Sequence, residues 1–268
     1  MLIKVEAMKK QAGFTLIEIM VALTVGLIVV SATIAVYIAT IRSSADTVRS
    51  TRLNHDLDSV IALISNDLRR AGYWGGAIGG SDATENPYTV ISGGTTTANF
   101  APTNVTVMNF TDDDGTVRTN GCILYSYDAD GDGHYDDDAS GAFNSGDDTN
   151  EFYGFRFNVS STGAGVIEIR KTGTTTADCT EGDWETLNVT DGGEAVEITN
   201  LTFTDTSKCL NVSDASPCVT TAPGAGDKVA ISRDINVSLV ANSLIDDSVT
   251  KTLNSNIKIR NDRHYRIP

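Results

Sequence analysis

Hydrophobic positions follow three rhythms along this 268-residue chain. After a short polar start, no charged residue occurs from Ile19 to Ile41, and nearly every position there is apolar or small. At about 1.5 Å per residue, a helix of that length spans the roughly 30 Å hydrocarbon core of a bilayer. Beyond Ile41 the pattern becomes amphipathic. Leu53, Leu57, Val60, Ile61, Ile64, Leu68 and Ala71 recur at three- and four-residue spacing with charged residues between them, the stripe of a helix with one buried face. The two stretches together predict one helix from residue 14 to about residue 71, apolar over 14–41 and amphipathic over 42–72. Gly26 is its weak point, since glycine costs up to about 1 kcal/mol relative to alanine. Gly72 and the run Gly75, Gly76, Gly79 and Gly80 end it. Arg69 and Arg70 suit the negative end of the helix dipole, and Tyr73 and Trp74 are expected as core anchors.

The third rhythm is alternation. Short period-2 runs read as strands over Asn104 to Phe110, Cys122 to Tyr127, Glu151 to Val159, Val166 to Lys171, Ala195 to Phe203, Lys228 to Ala241 and Thr252 to Arg260. Turn-rich spacers separate them, and Asp112 to Asp114 followed by Gly115 reads as a tight turn. One long helix followed by mostly antiparallel strands predicts an α+β architecture. The sheet should pack on the C-terminal half of the helix, in one β-rich globular domain over residues 73–268.

Composition narrows the function. There are 35 acidic and 20 basic residues, a formal net charge of −15, which argues against a phosphate backbone as the main partner, and no nucleic acid is expected to bind directly. All four cysteines, Cys122, Cys179, Cys209 and Cys218, fall in the later part of the chain, consistent with two disulfides formed outside the cytoplasm. Three connectivities are open; the short separation of Cys209 and Cys218 makes that local pair economical, leaving Cys122 with Cys179. The only histidines, His55, His134 and His264, form no constellation in sequence, and no nucleophile elbow, metalloprotease motif or phosphate-cradling loop is present. No independent enzymatic activity is expected.

The start of the chain carries the most specific signal. Lys4, Lys9 and Lys10 against Glu6 should hold the first residues on the cytoplasmic side. Gly13 then opens directly into the apolar run. A cleaved secretory signal fits less well, because the apolar stretch is long and no A-x-A-like site follows it. Glu18 lies inside that run, where a carboxylate without a partner would cost several kcal/mol. Cleavage after Gly13 would create an amine on Phe14 at the right depth to pair with it, in the same helix or a neighbour's.

The segment KKQAGFTLIEIMVAL resembles the class III signal of type IV prepilins and of the related secretion pseudopilins. That resemblance implies a leader over residues 1–13, removal by a prepilin peptidase after Gly13, methylation of Phe14, and a docking role for Glu18 as subunits assemble. Losing the leader makes the chain more acidic by two charges. The stretch ISNDLRRAGYWGG, Ile64 to Gly76, resembles a segment of PilW-like minor pilins. The family's fold, a long N-terminal helix on an antiparallel sheet, agrees with the pattern read above. The implied protein is a low-abundance pilus subunit that primes assembly at or near the tip and supports adhesion, twitching motility or DNA uptake. It would be single-pass in the inner membrane with a periplasmic globular domain, and then part of a surface pilus. Its implied partners are other minor and major pilins, the peptidase and the inner-membrane assembly platform. A minor pseudopilin of type II secretion and a calcium-dependent adhesin on a pilin anchor are the alternatives.

One acidic run has ligand spacing. In DADGDGHYDDD, Asp128, Asp130 and Asp132 alternate, Gly133 follows and Asp136 lies three further on. These match positions 1, 3, 5, 6 and 9 of an EF-hand-type calcium loop, in which His134 would supply its backbone carbonyl. The twelfth position is Ala139 instead of Glu, so the bidentate ligand would come from Asp137, Asp138 or a residue such as Glu151. The competing reading is a solvated acidic turn.

Overall fold

The computed structural model describes residues 13–75, 105–131, 151–159, 163, 165–187, 196–243 and 250–267. The chain divides into two compact units, Met1–Arg52 and Leu53–Pro268. The helix α1 runs from Leu16 to Leu68 and supplies residues to both.

In the first unit every described residue up to Ser44 is exposed. Thr24 donates to the carbonyls of Met20 and Val21, Ser31 to Ile28, Thr33 to Val30 and Thr40 to Val36. The hydroxyls in the apolar stretch are therefore satisfied inside the helix, as a nonaqueous surrounding requires. This helix is long and apolar enough to cross a membrane.

The second unit contains twelve described strands: β1 (Thr106–Thr111), β2 (Val117–Ser126), β3 (Phe152–Val159), β4 (Gly165–Thr172), β5 (Asp183–Leu187), β6 (Val196–Asp205), β7 (Lys208–Asn211), β8 (Ser216–Pro217), β9 (Lys228–Ser232), β10 (Asp234–Ser243), β11 (Thr250–Lys258) and β12 (Arg263–Arg266). They form three antiparallel sheets: β1 to β5 in chain order, β11-β10-β6, and β12-β9-β7-β8. β6 lies against β2 and β4, bringing the first two sheets together over one core. Leu53, Leu57, Val60, Ile61, Ile64, Leu68 and Ala71 of the helical stripe pack there with Ile123, Phe155, Phe157, Phe203, Val237 and Leu239. The alternation of β10 is regular: Ile235, Val237, Leu239 and Ala241 point inward and are buried.

Several elements differ from the sequence expectation. The helix stops at Leu68, and residues 69–72 form turns closed by Gly72 at φ 73°, the left-handed conformation glycine adopts without penalty. The run expected as one strand from Lys228 to Ala241 is two strands in different sheets, divided at Arg233. Arg233 sits on the inward parity of that alternation and is buried. Its guanidinium donates to the carbonyls of Ala71 and Asn261. Asn261 also donates to Ala71, and the Arg260 amide to the Arg69 carbonyl. The helix end, which has carbonyls without intrahelical partners, is thus satisfied from the C-terminal segment. Tyr73 is a correction: it is 48% exposed, because the turn at Gly72 carries the chain off the buried stripe.

On the outer side of the first sheet, Cys122 is bonded to Cys179, and Phe110, Leu124, Met108 and Trp184 surround them. Arg156 stacks 4.3 Å from the Trp184 ring, donates to Glu168 at 2.6 Å and to the Cys179 carbonyl at 2.8 Å. Arg170 is fully buried, pairs with Glu181 and donates to the Thr175 carbonyl; burial lowers its pKa to about 10. The second disulfide joins Cys209 to Cys218. At the β1–β2 turn Gly115 has φ 88° and Arg118 pairs with Asp112 and Asp114.

Candidate functional site

Two places carry chemistry. The first is the start of α1. Gly13, Phe14 and Thr15 precede the helix, and Phe14 is 80% exposed. The Glu18 amide donates to the Thr15 hydroxyl at 3.3 Å, while the Thr15 amide and hydroxyl each donate to Glu18 Oε2 at 3.4 Å. This reciprocal arrangement is a capping box, with Thr15 as N-cap and Glu18 three residues later. Glu18 therefore has a partner within its own chain before any new amine is made. The spacing T-x-x-E over Thr15 to Glu18 carries this cap in the sequence, hidden by the apolar residues around it, which make the carboxylate look isolated. The negative side chain also lies in the first turn, where the helix dipole favours it.

The second place is in the globular unit, beyond the helix end. The Gly72 amide donates to the Ser126 carbonyl and the Asp128 amide to the Tyr73 carbonyl, so the segment after α1 runs beside the end of β2. Asp128 is buried; its Oδ2 accepts from the Gly75 amide at 2.7 Å and its Oδ1 from the Gly131 amide at 2.6 Å. A Cβ on Gly75 would come within 2.7 Å of the Gly131 carbonyl oxygen, so only glycine fits this approach. Glu151, also buried, accepts from the Ala129 amide at 3.0 Å. Carboxylate oxygens of Asp128, Asp130 and Glu151 all lie within 4.8 Å of one another. Antiparallel pairing places the start of β3 beside the end of β2, with Ser126 opposite Phe152, and this brings Glu151 to the loop. The donor set is all oxygen, the type a hard cation takes. Asp132, His134, Asp136 and Asp138 lie outside the described residues.

Next to this acidic group, Tyr125 and Tyr127 both donate to Asp67 of α1. The Tyr127 and Tyr153 rings stack at 4.3 Å, and the Arg70 guanidinium lies 4.2 Å from the Tyr127 ring. Burial first, and the Asp67 charge next, push the phenols of Tyr125 and Tyr127 above their usual range, and burial raises Tyr153. This cluster holds the helix to the sheet.

With this geometry in view, two family matches bear on function. Residues 8–34 match the prokaryotic N-terminal methylation motif. Residues 46–259 match the family described as prepilin peptidase-dependent protein B. The chain belongs to the prepilin peptidase-dependent protein B family. It is a type IV prepilin-like subunit, and the capped start of α1 lies within the methylation motif that defines such proteins. No curated protein and no solved structure matches the chain.

Proposed function

We propose that this family member is a PilW-like minor pilin of a type IV pilus, an assembly-priming subunit at or near the tip that serves adhesion, twitching motility or DNA uptake. The observation that carries the proposal is the N-terminal segment. An exposed, non-helical Gly13–Phe14 bond precedes an exposed apolar helix whose only acidic group in the first turn is Glu18. A prepilin peptidase cuts after Gly13 and methylates Phe14; the globular unit stands in the periplasm; assembly then packs the apolar helices together. The Phe14 amine pairs with a Glu18 carboxylate during docking, replacing one made within the chain to Thr15. Other pilins and the inner-membrane platform are the partners.

The test is surface piliation in cells carrying Glu18→Ala beside a clean deletion, with the N-terminal residue sequenced. Loss of pili in both, with Phe14 still the processed N-terminus, is the expected result. Normal pili with failed protein secretion would replace the proposal with a type II secretion pseudopilin.

The convergence of Asp128, Asp130 and Glu151 supports a second element, a calcium ion at the base of the acidic loop, with Glu151 in the part the loop's Ala139 cannot play. Calcium should raise the melting temperature of the wild-type chain and leave Asp130→Asn/Glu151→Gln unmoved, since ligand bound only to the folded state stabilises it. Equal response of both proteins, or none in either, rejects the site. Lost adhesion with intact pili in that variant would favour the calcium-dependent adhesin reading.

A further inference from the structure

Sheet edges with open backbone donors and acceptors invite pairing with another chain, and folded proteins blunt them with bulges, short strands, charges or covering elements. Nearly every edge of the described strands is treated this way. β1 carries a register shift between Met108 and Phe110. β5 has five residues and faces a shift between Arg170 and Thr172. β12 has four residues and β8 two. β6 lies against the first sheet and is shifted opposite Val240 and Ala241.

β11 is different. It has nine residues and pairs with β10 without a shift from Asp234↔Lys258 to Asn242↔Thr250, and among the described strands nothing pairs with its other side. Ile257 is buried with Leu253 and Ser255 half-buried, while Thr250, Lys251, Thr252, Asn254, Asn256 and Lys258 are exposed. The strand contains no proline, and its two charges, Lys251 and Lys258, stand near its ends with six uncharged residues between. Lysines so placed leave the middle of the edge open and select by charge at the ends.

We propose that β11 is a docking edge, on which an extended strand of another pilin-type subunit adds to the sheet. That strand is uncharged at its centre and carries acidic side chains opposite Lys251 and Lys258. Backbone hydrogen bonds along the edge would provide the attachment, and the two lysines the choice of partner and register. Lys251 and Lys258 are the only charged side chains on this strand, so a cationic strand is not its complement. The proposal rests on the pilin reading above and adds a surface to it.

The experiment places the photo-crosslinking residue p-benzoylphenylalanine at Asn254 of the full chain in the cells that make it. A second reporter replaces Val219, which is 92% exposed in another sheet's turn. Mass spectrometry identifies the adducts and the processed N-terminus is read in the same cells. The expected result is an adduct at Asn254, absent at Val219, with a different protein that itself bears an N-terminal methylation motif. Lys251→Glu, which faces Ala241 across the β10–β11 pair, should lower its yield about fivefold without changing the melting temperature, and Lys251→Arg should retain it. No adduct, equal adducts at both reporters, an adduct with a second copy of this chain, or indifference to charge reversal overturns the docking edge. If processing after Gly13 persists in those cells, the pilin reading survives that failure; if processing is absent, the pilin reading fails as well.

Discussion

Glu18 has two relationships available to it, and the structure shows one of them. Within the chain it closes a capping box with Thr15, holding the first turn of α1 and leaving Gly13 and Phe14 outside the helix. An amine on Phe14 would compete for the same carboxylate, and the 3.4 Å contacts from Thr15 are long ones that a charge-assisted partner displaces readily. Losing the cap hydroxyl should therefore loosen the first turn without unfolding the helix. Replacing an N-cap Ser or Thr costs about 1 kcal/mol, so in Thr15→Val the Glu18 amide should exchange with solvent about fivefold faster, with Thr15→Ser unchanged. Amide exchange of the full chain in detergent micelles measures this directly. Equal rates in Thr15→Val and the parent would mean that the Glu18 amide is held by its 3.1 Å bond to the Thr15 carbonyl and not by the hydroxyl.

Among the elements, the two disulfides close loops of very different size, with sequence separations of 57 and 9. In the chain-entropy account, larger loops give larger stabilisation, about 4 kcal/mol for the Cys122–Cys179 loop and about 2.5 kcal/mol for the Cys209–Cys218 loop. Cys122→Ser/Cys179→Ser should also loosen the packing of Trp184 and the Arg156 contact to the Cys179 carbonyl. Urea unfolding of the two double variants should rank them in that order, and the reverse order would show that local packing outweighs loop closure. The helix and the longer strands were legible in the sequence because their periodicities are strong, as in the stripe from Leu53 to Ala71. β5, β7, β8 and β12 were not, since each has five residues or fewer and polar or charged side chains that give no clear alternation. The division at Arg233 was hidden for the opposite reason: the alternation of Val229, Ile231, Arg233 and Ile235 continues through it, and only the distant helix end explains a buried guanidinium there. Asp128 and Asp130 could be read from their spacing, but the arrival of Glu151 depends on strand register.

At the scale of the whole molecule, buried phenols and hydrogen-bonded carboxylates set the pH range over which the globular unit holds together. Asp178 has its pKa lowered, chiefly by the Thr180 amide and then by the Thr180 hydroxyl. Asp227 is lowered by the Gly224 amide and then Asn211. Groups depressed in the folded state contribute stability above their unfolded pKa of about 4, and lose it as pH falls through the folded value. Tyr125, Tyr127 and Tyr153 are raised, so their contribution is complete below the unfolded phenol pKa of about 10 and is lost as pH rises beyond it. The melting temperature should therefore be nearly flat from about pH 5 to 9, with an acid arm and an alkaline arm. Because Tyr125 and Tyr127 both donate to Asp67 of α1, the alkaline arm reports detachment of the helix from the sheet. Tyr125→Phe/Tyr127→Phe should lower stability at pH 7 by about 1–3 kcal/mol, since Asp67 loses its donors. The same variant should flatten the alkaline arm and leave the acid arm in place. Thermal unfolding across the pH series separates the two effects: an alkaline arm as steep in the double variant as in the parent would assign the high-pH loss to other groups.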